Sequence, residues 1–407
     1  MYDPQLQQLK RKVEAELTGG ILPFWLKNTI DHEHGGFIGR IGDGLAIDAN
    51  AEKGLILNAR ILWTFARAWR HYQQEEYRQA ARRAFDYLRT FFFDPQYGGY
   101  FWMLDCHGQP TDTLKRIYSQ AFTVYAFAEY FSASGDRTAL EAAIELVEKI
   151  EAAGHDPIHG GYFETYQRDW SLAADQRLSA VDMDEKRSQN THLHVMEAYA
   201  TLLRVHEHPL VRTRLRELIE IFLERILNPR NHHLQLFFDE QWKPQSEIIS
   251  YGHDIEGSWL LVEAAEVLGD APLLARVKEA AILTAQAVCD EALDPDGGLI
   301  YEGSPTGVHD PDKHWWPQAE AVVGFLNAWQ ISRQPHFLHA AERCWEFIEK
   351  YIIDHQHGEW FWLVSRDGKP DREKDKVGPW KCPYHNGRAC FEVMERINGI
   401  ATGLQHS

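Results

Sequence analysis

Cysteine is scarce in this chain and falls in no pattern. Its five copies, Cys106, Cys289, Cys344, Cys382 and Cys390, are odd in number, scattered, and without a Cys-x-x-Cys pair. That usage excludes a zinc–thiolate site and fits a reducing, cytoplasmic setting. Positive charge is also short: 42 Lys and Arg stand against 60 Asp and Glu, a formal net charge of −18. Such a balance argues against nucleic acid, an anionic membrane or a highly phosphorylated substrate. No apolar run approaches the roughly 20 residues of a membrane span. The first twelve residues, Met1 to Lys12, lack the apolar core of a signal peptide. Spacers rich in Ser and Gly, low-complexity tracts and like-charged tails are missing too, so nothing marks a linker. The expectation is one cytoplasmic domain over 1–407, with neither a nucleic-acid nor a membrane partner.

What the chain does have is a repeat. Six times, at intervals of 60 to 72 residues, a turn signal runs into an aromatic or apolar stretch. Three copies are close: Asp31-His-Glu-His-Gly-Gly-Phe, Asp94-Pro-Gln-Tyr-Gly-Gly-Tyr and Asp156-Pro-Ile-His-Gly-Gly-Tyr. Three are looser, beginning at Asn228, Asp294 and Asp354. Asp-Pro and Asn-Pro start turns, and the glycines supply positive φ before a strand-favouring residue. A period of this size means one supersecondary unit used repeatedly.

Between the signals the apolar spacing is helical. Residues 51–72 place Leu55, Ile56, Ala59, Leu62, Trp63, Ala66 and Trp69 on one broad face. Similar patterns predict helices near 5–26, 75–92, 116–134, 137–153, 189–206, 209–227, 253–268, 271–291, 315–332, 335–352 and 386–403. Pro209, Pro272 and Pro335 stand near the first turns of three odd-numbered helices, where a missing N–H costs nothing. The sum is twelve helices in six pairs, with short hairpins or loops after each odd-numbered helix. Neither end carries a polar capping repeat, which favours closure into an all-α (α/α)6 barrel over an open solenoid. The even-numbered helices then line the barrel and begin at the mouth where the loops gather.

The unusual residues lie at those helix starts. Arg60, Tyr118, the pair His192 and His194, His253 with Glu256, His314 with Trp316, and Trp380 with His385 all converge if the barrel closes. His192 and His194 are about 200° apart around a helix, so only one faces the pocket; His194 is the expected functional one. His253 and Glu256 share a face, so the carboxylate is expected to hold the imidazole in one tautomer and to favour its charged form. His314 and the histidines of the turn signals read as structural. Trp316 and Trp380 could be core, but large rings at a polar mouth also stack on sugar faces. Two imidazoles with pKa near 7 suit proton transfer on both faces of one carbon, and Arg60 suits developing oxyanion charge.

The segments Leu57-Asn-Ala-Arg60, Asn190-Thr-His-Leu-His194, Gly252-His-Asp-Ile-Glu256, His314-Trp-Trp-Pro-Gln-Ala-Glu320 and Pro383-Tyr-His-Asn-Gly-Arg388 resemble the N-acylglucosamine 2-epimerase superfamily. Within it they look most like the bacterial cellobiose 2-epimerases, in the same order over essentially the whole chain. The resemblance implies no metal and no cofactor, a small-molecule carbohydrate partner, and epimerisation at C2 of the reducing-end sugar of β-1,4-linked disaccharides. It implies acid/base roles for His253 and His385, with Glu256 orienting His253 and His194 assisting ring opening. Arg60, Tyr118 and Asn190 would hold hydroxyls, Trp316 and Trp380 would pack on the rings, and Asp182 would meet the second sugar. One departure is Cys382, where many relatives carry glycine, which bears on the placement of Trp380. A monosaccharide epimerase or isomerase is the nearest alternative. A metal site of His194, His253, His385 and Glu256, a hydrolase using Glu256 and Glu320, and a sugar-binding protein without turnover are the others.

Overall fold

The computed structural model describes residues 4–402, with side chains to residue 400. Twelve continuous helices account for most of them: α1 (4–28), α2 (Leu55–Tyr72), α3 (75–92), α4 (Ile117–Ser134), α5 (Arg137–Ala153) and α6 (Gln189–Val205). The second half comprises α7 (209–226), α8 (Tyr251–Leu268), α9 (Ala271–Glu291), α10 (Trp315–Ser332), α11 (335–352) and α12 (Tyr384–Thr402). A five-residue π turn interrupts α1 at Leu17–Ile21 and ends α3, α7 and α11.

Burial explains which helices lie inside. Every residue of α4 from Ile117 to Tyr130 is buried, the mark of a helix surrounded by others. In α3, by contrast, burial follows one stripe through Tyr77, Ala80, Ala81, Ala84 and Phe85. The even-numbered helices touch in sequence, α2 to α4 to α6 to α8 to α10 to α12, and α12 returns to α2. Each odd-numbered helix from α3 onward packs outside the inner helix before it, and α1 packs on α12. The ring is closed, an (α/α)6 barrel.

The loops differ from hairpins confined to each unit. The strand just before an inner helix pairs with the strand after the next outer helix: Lys53–Gly54 with Met103–Leu104, Lys115–Arg116 with Thr165–Tyr166, and Arg187–Ser188 with Phe237–Phe238. Ile249–Ser250 with Glu302–Ser304 and Lys313–His314 with Leu363–Val364 continue the series, and the bridge of Ile41 to Val377 joins the first loop to the last. Hairpins within a unit also form, as between Met103–Leu104 and Pro110–Asp112. Neighbouring units are therefore stitched together at the mouth where the inner helices begin.

Each turn signal is a small bridged loop, as at Phe93 to Tyr100 and His155 to Tyr162. Its leading Asp, or Asn228 in the fourth copy, folds back on the loop; Asp94 Oδ1 accepts from the N–H of Gln96 at 3.1 Å and Asn228 Oδ1 from that of Arg230 at 3.0 Å. The other carboxylate oxygen meets a buried cation ahead of the next inner helix, in the pairs Asp31–Lys53 (2.7 Å), Asp94–Lys115 (3.1 Å) and Asp156–Arg187. The glycines of the turn signals, Gly298 apart, have the predicted positive φ, 72° at Gly161, where an added Cβ would lie 2.6 Å from His192 Nε2.

Candidate active site

The first turns of the inner helices open into a cavity of ≈ 400 Å³. His194, His253, His385 and Glu256 line it, with Arg60, Tyr118, Asn190, Trp316, Trp380 and Asp182, so all ten residues named from the sequence meet there. His314 lines it as well, stacked on Tyr301 at 3.8 Å between ring centroids. A second chamber of ≈ 330 Å³ shares Leu178, Val181, Asp182, Asn190, His253 and Tyr301 with the first.

His192 faces away, and the repeat says why. It is the fourth residue of α6; the fourth residues of α4, α8 and α10 are Gln120, Asp254 and Gln318. All four accept from the backbone N–H just beyond a turn signal, on Tyr100 (2.9 Å), Tyr162 (2.9 Å), Leu234 (2.6 Å) and Leu299 (2.7 Å). His192 accepts through Nε2 and donates from Nδ1 to the Ser188 carbonyl at 2.6 Å, so it is neutral, with its pKa pushed down by burial to about 3. His192 is thus a clamp between barrel and loop, while His194 turns inward.

The expected pairing of Glu256 with His253 does not form. His253 Nδ1 lies 2.8 Å from Ser250 Oγ, while Glu256 Oε1 accepts from Arg388 Nη2 at 2.5 Å. Two causes act together. Ser250 occupies the N-cap of α8, but its hydroxyl makes no cap bond and is free for the ring three residues on. The equivalent Ser188 caps α6 by accepting from Thr191 N–H at 3.0 Å. Glu256, meanwhile, is drawn to the stronger charge of a buried guanidinium.

Carboxylates orient the other two imidazoles instead. His194 Nδ1 meets Glu197 Oε2 at 2.9 Å, and His385 Nδ1 meets Glu320 Oε1 at 2.6 Å. Arg388 lies beneath both, bonded to Glu197, Glu256, Glu320 and the Tyr384 hydroxyl. Glu197 and Arg388 have no role in the sequence reading, and Glu320 enters it only as half of a hydrolase pair. The signal was present: Glu197 stands three residues after His194 and Arg388 three after His385, one helical turn in each case.

Burial governs the charges. It lowers His253 to about 3, with His194 adding to the effect, and holds His385 well below the ordinary histidine value, helped by Arg60 and Arg388. Both rest neutral, as a proton-accepting pair requires, but below the values near 7 expected from sequence, and His253 lacks the push toward its charged form expected from Glu256. Burial also raises Glu256 to about 7, with Glu320 beside it, against the pull of Arg388.

Arg60 is buried, and no carboxylate is among its partners. It donates to Tyr118 Oη at 2.8 Å, lies 3.8 Å from Cys382 Sγ, and packs over the rings of Phe122 and Tyr384. Its Nε lacks a partner, as does Asn190 Oδ1. Trp316 sits against both basic rings, 4.7 Å from His253 and 5.5 Å from His385. Trp380 leans on Tyr118 at 5.8 Å, its carbonyl 3.7 Å from Cys382 Sγ. Asp182 accepts from Ser179 through N–H (2.8 Å) and Oγ (2.7 Å), at the rim.

Among the described residues, the ligand-type atoms that gather are those of Glu256, Glu320 and His385, within 4.8 Å of one another. Arg388 Nη2 already bonds both carboxylates, at 2.5 and 2.7 Å, and supplies the positive charge a metal would bring. The same contact argues against a hydrolase, because one guanidinium nitrogen holds both acids together rather than on opposite sides of a bond.

The family model described as N-acylglucosamine 2-epimerase (GlcNAc 2-epimerase) matches residues 36–389. The chain belongs to the N-acylglucosamine 2-epimerase family. It is 46% identical over 387 residues to a cellobiose 2-epimerase of Bacteroides fragilis, covering 95% of this chain and 98% of that one. The solved cellobiose 2-epimerase of Bacillus thermoamylovorans B4167 superposes with a TM-score of 0.91 at 38% identity, covering 96% of this chain and all of the other. A D-mannose isomerase of Marinomonas mediterranea is more distant, at 25% identity over 393 residues, 92% of this chain and 95% of its own. The protein is a carbohydrate epimerase with a small-molecule sugar as substrate. None of its described helices is long and apolar enough to cross a membrane.

Proposed function

We propose that this epimerase inverts C2 of the reducing-end sugar in β-1,4-linked disaccharides such as cellobiose, lactose and mannobiose. The observation that carries the reading is a pair of neutral imidazoles, the half-buried His253 on α8 and the buried His385 on α12, lining one cavity with Trp316 against both. With Glu320 ionised beside Arg388, Nδ1–H of His385 donates to the carboxylate and Nε2 keeps a lone pair for the substrate. His253 is held by Ser250 through the same ring atom, which leaves its Nε2 available too.

The sugar ring opens first, with His194, backed by Glu197, moving the proton between the anomeric hydroxyl and the ring oxygen. One imidazole then removes the C2 proton from the open-chain aldehyde. The electron pair passes into a planar enediolate whose oxygen charge is met by Arg60 and the Tyr118 hydroxyl. The second imidazole, which takes up a solvent proton as the enediolate's negative charge develops beside it, returns that proton to the opposite face of C2, and the first ring releases its own to solvent. Product and substrate differ only in the configuration there. Asn190 offers its unpartnered Oδ1 to a hydroxyl, Trp316 and Trp380 cover the sugar faces, and Asp182 at the rim meets the second sugar unit. The adjoining chamber gives room beyond a single ring, in keeping with a disaccharide.

The test is chromatography of cellobiose, lactose, mannose and N-acetylglucosamine after incubation with the enzyme. The two disaccharides are expected to yield their C2 epimers and the monosaccharides little product. Turnover confined to mannose or N-acetylglucosamine overturns the substrate assignment. The pH profile is a second check. Because burial keeps both free-enzyme imidazoles neutral, the acid limb of kcat/KM falls below pH 6, under the ordinary histidine value. An acid limb at 6.5 or above that persists in Glu256→Gln, where the carboxyl raised to about 7 is gone, contradicts the neutral, desolvated pair.

A further inference from the structure

Arg388 enters none of these steps, yet it contacts the supports of two of the three histidines. It lies one turn past His385 on α12 and is 1% exposed. Nη1 donates to Glu197 and to the Tyr384 hydroxyl; Nη2 donates to Glu256 at 2.5 Å and to Glu320 at 2.7 Å. Its flat face packs over Tyr384 and Trp259, at 4.3 and 4.8 Å from the ring centroids. From Glu197 the contacts continue to His194 Nδ1, and from Glu320 to His385 Nδ1. One cation thus reaches two imidazoles through one carboxylate each.

We propose that Arg388 is a positioning residue that fixes the tautomers of His194 and His385 together, by keeping Glu197 and Glu320 ionised and aimed at the two Nδ1 atoms. The physics is that of a buried acid. A carboxylate without a counter-ion in a low-dielectric interior takes up a proton. A protonated Glu320 would donate to His385 Nδ1 instead of accepting from it. The imidazole proton would then sit on Nε2, and that nitrogen could no longer take a proton from substrate. Arg388 prevents this exchange at both rings. The other charges facing His385 are Arg60 from α2 and Glu256 from α8, with the titratable rings of His194 from α6 and His253 from α8. None of them touches both Glu197 and Glu320.

The inference rests on the epimerase reading only for its kinetic consequence, so its test begins on the free protein. Histidine labelled with ¹⁵N reports which ring nitrogen carries the proton, and the signals are assigned by their loss in His194→Gln and His385→Gln. In the wild type both rings, in their neutral forms, are expected to carry the proton on Nδ1. In Arg388→Gln both move toward Nε2–H, and kcat on cellobiose falls by roughly 10²-fold or more. Arg388→Lys carries the test if the glutamine variant does not fold. Its single nitrogen cannot span Glu197 and Glu320 as the fork does, so at least one ring changes tautomer. A folded Arg388 variant in which both rings stay Nδ1–H overturns the proposal, whatever its activity. A wild type that leaves cellobiose unchanged overturns the substrate reading instead, and the NMR result stands apart from it.

Discussion

Asparagine in place of His385 is expected to lower kcat for cellobiose by roughly 10²–10⁴-fold, the range lost when a positioned acid/base is removed. Asparagine retains an amide near Glu320 and Arg388, so the carboxylate network keeps its counter-ion and the fold survives. It has no group able to accept and return a proton near neutral pH. The same replacement at His253 is expected to cost a similar factor, because each direction of the reaction needs one imidazole as base and the other as acid. The two losses will not add in the double variant, since either alone breaks the cycle. Steady-state kinetics with thermal unfolding measured alongside checks this. A His385→Asn enzyme within about tenfold of wild type, folded and clean of wild-type contamination, places the base elsewhere.

Arg60 carries the second large effect. Removing a preorganised donor from a developing oxyanion costs roughly 10²–10³-fold in kcat, and Arg60→Met is expected to fall in that range with a much smaller change in KM. The basis is that Arg60 is buried with Tyr118, Cys382 and aromatic faces for company rather than a carboxylate. Its charge is available for an anion that exists only in mid-reaction. Arg60→Lys should recover a part: it keeps the charge but loses the fork that bonds Tyr118 while facing substrate. If Arg60→Met raises KM and leaves kcat intact, Arg60 binds the ground state and the enediolate is stabilised by something else.

Most of the architecture was legible in the sequence because the repeat and the helical period agree. The turn signals mark loops, the spacing between them marks helices, and the predicted helix boundaries lie within about four residues of those observed. Strand pairing was not legible. Two-residue strands carry no alternation to read, and their partners lie in the next unit rather than beside them in sequence. The candidate site was legible as a set of residues, since closing the barrel brings every inner-helix start to one mouth. The connections within it were less so. From spacing alone Glu256 belonged to His253, at three residues. What decides the contact is Arg388, 132 positions away, which claims Glu256 and leaves His253 to Ser250. Glu197 and Arg388 have no role in the sequence reading, although Arg388 stands in one of its motifs, because a Glu or Arg one turn along an inner helix reads as solvated until its burial is known.

The most direct measurement is epimerisation of cellobiose in D₂O, followed by mass and proton spectroscopy of the product. The two-imidazole account predicts that product carries solvent deuterium at C2 of the reducing-end sugar, because the proton removed on one face is not the proton returned on the other. Product formed in D₂O with protium retained at C2 contradicts it. In that case the hydrogen stays with the substrate, and His253 and His385 are not a proton-exchanging pair.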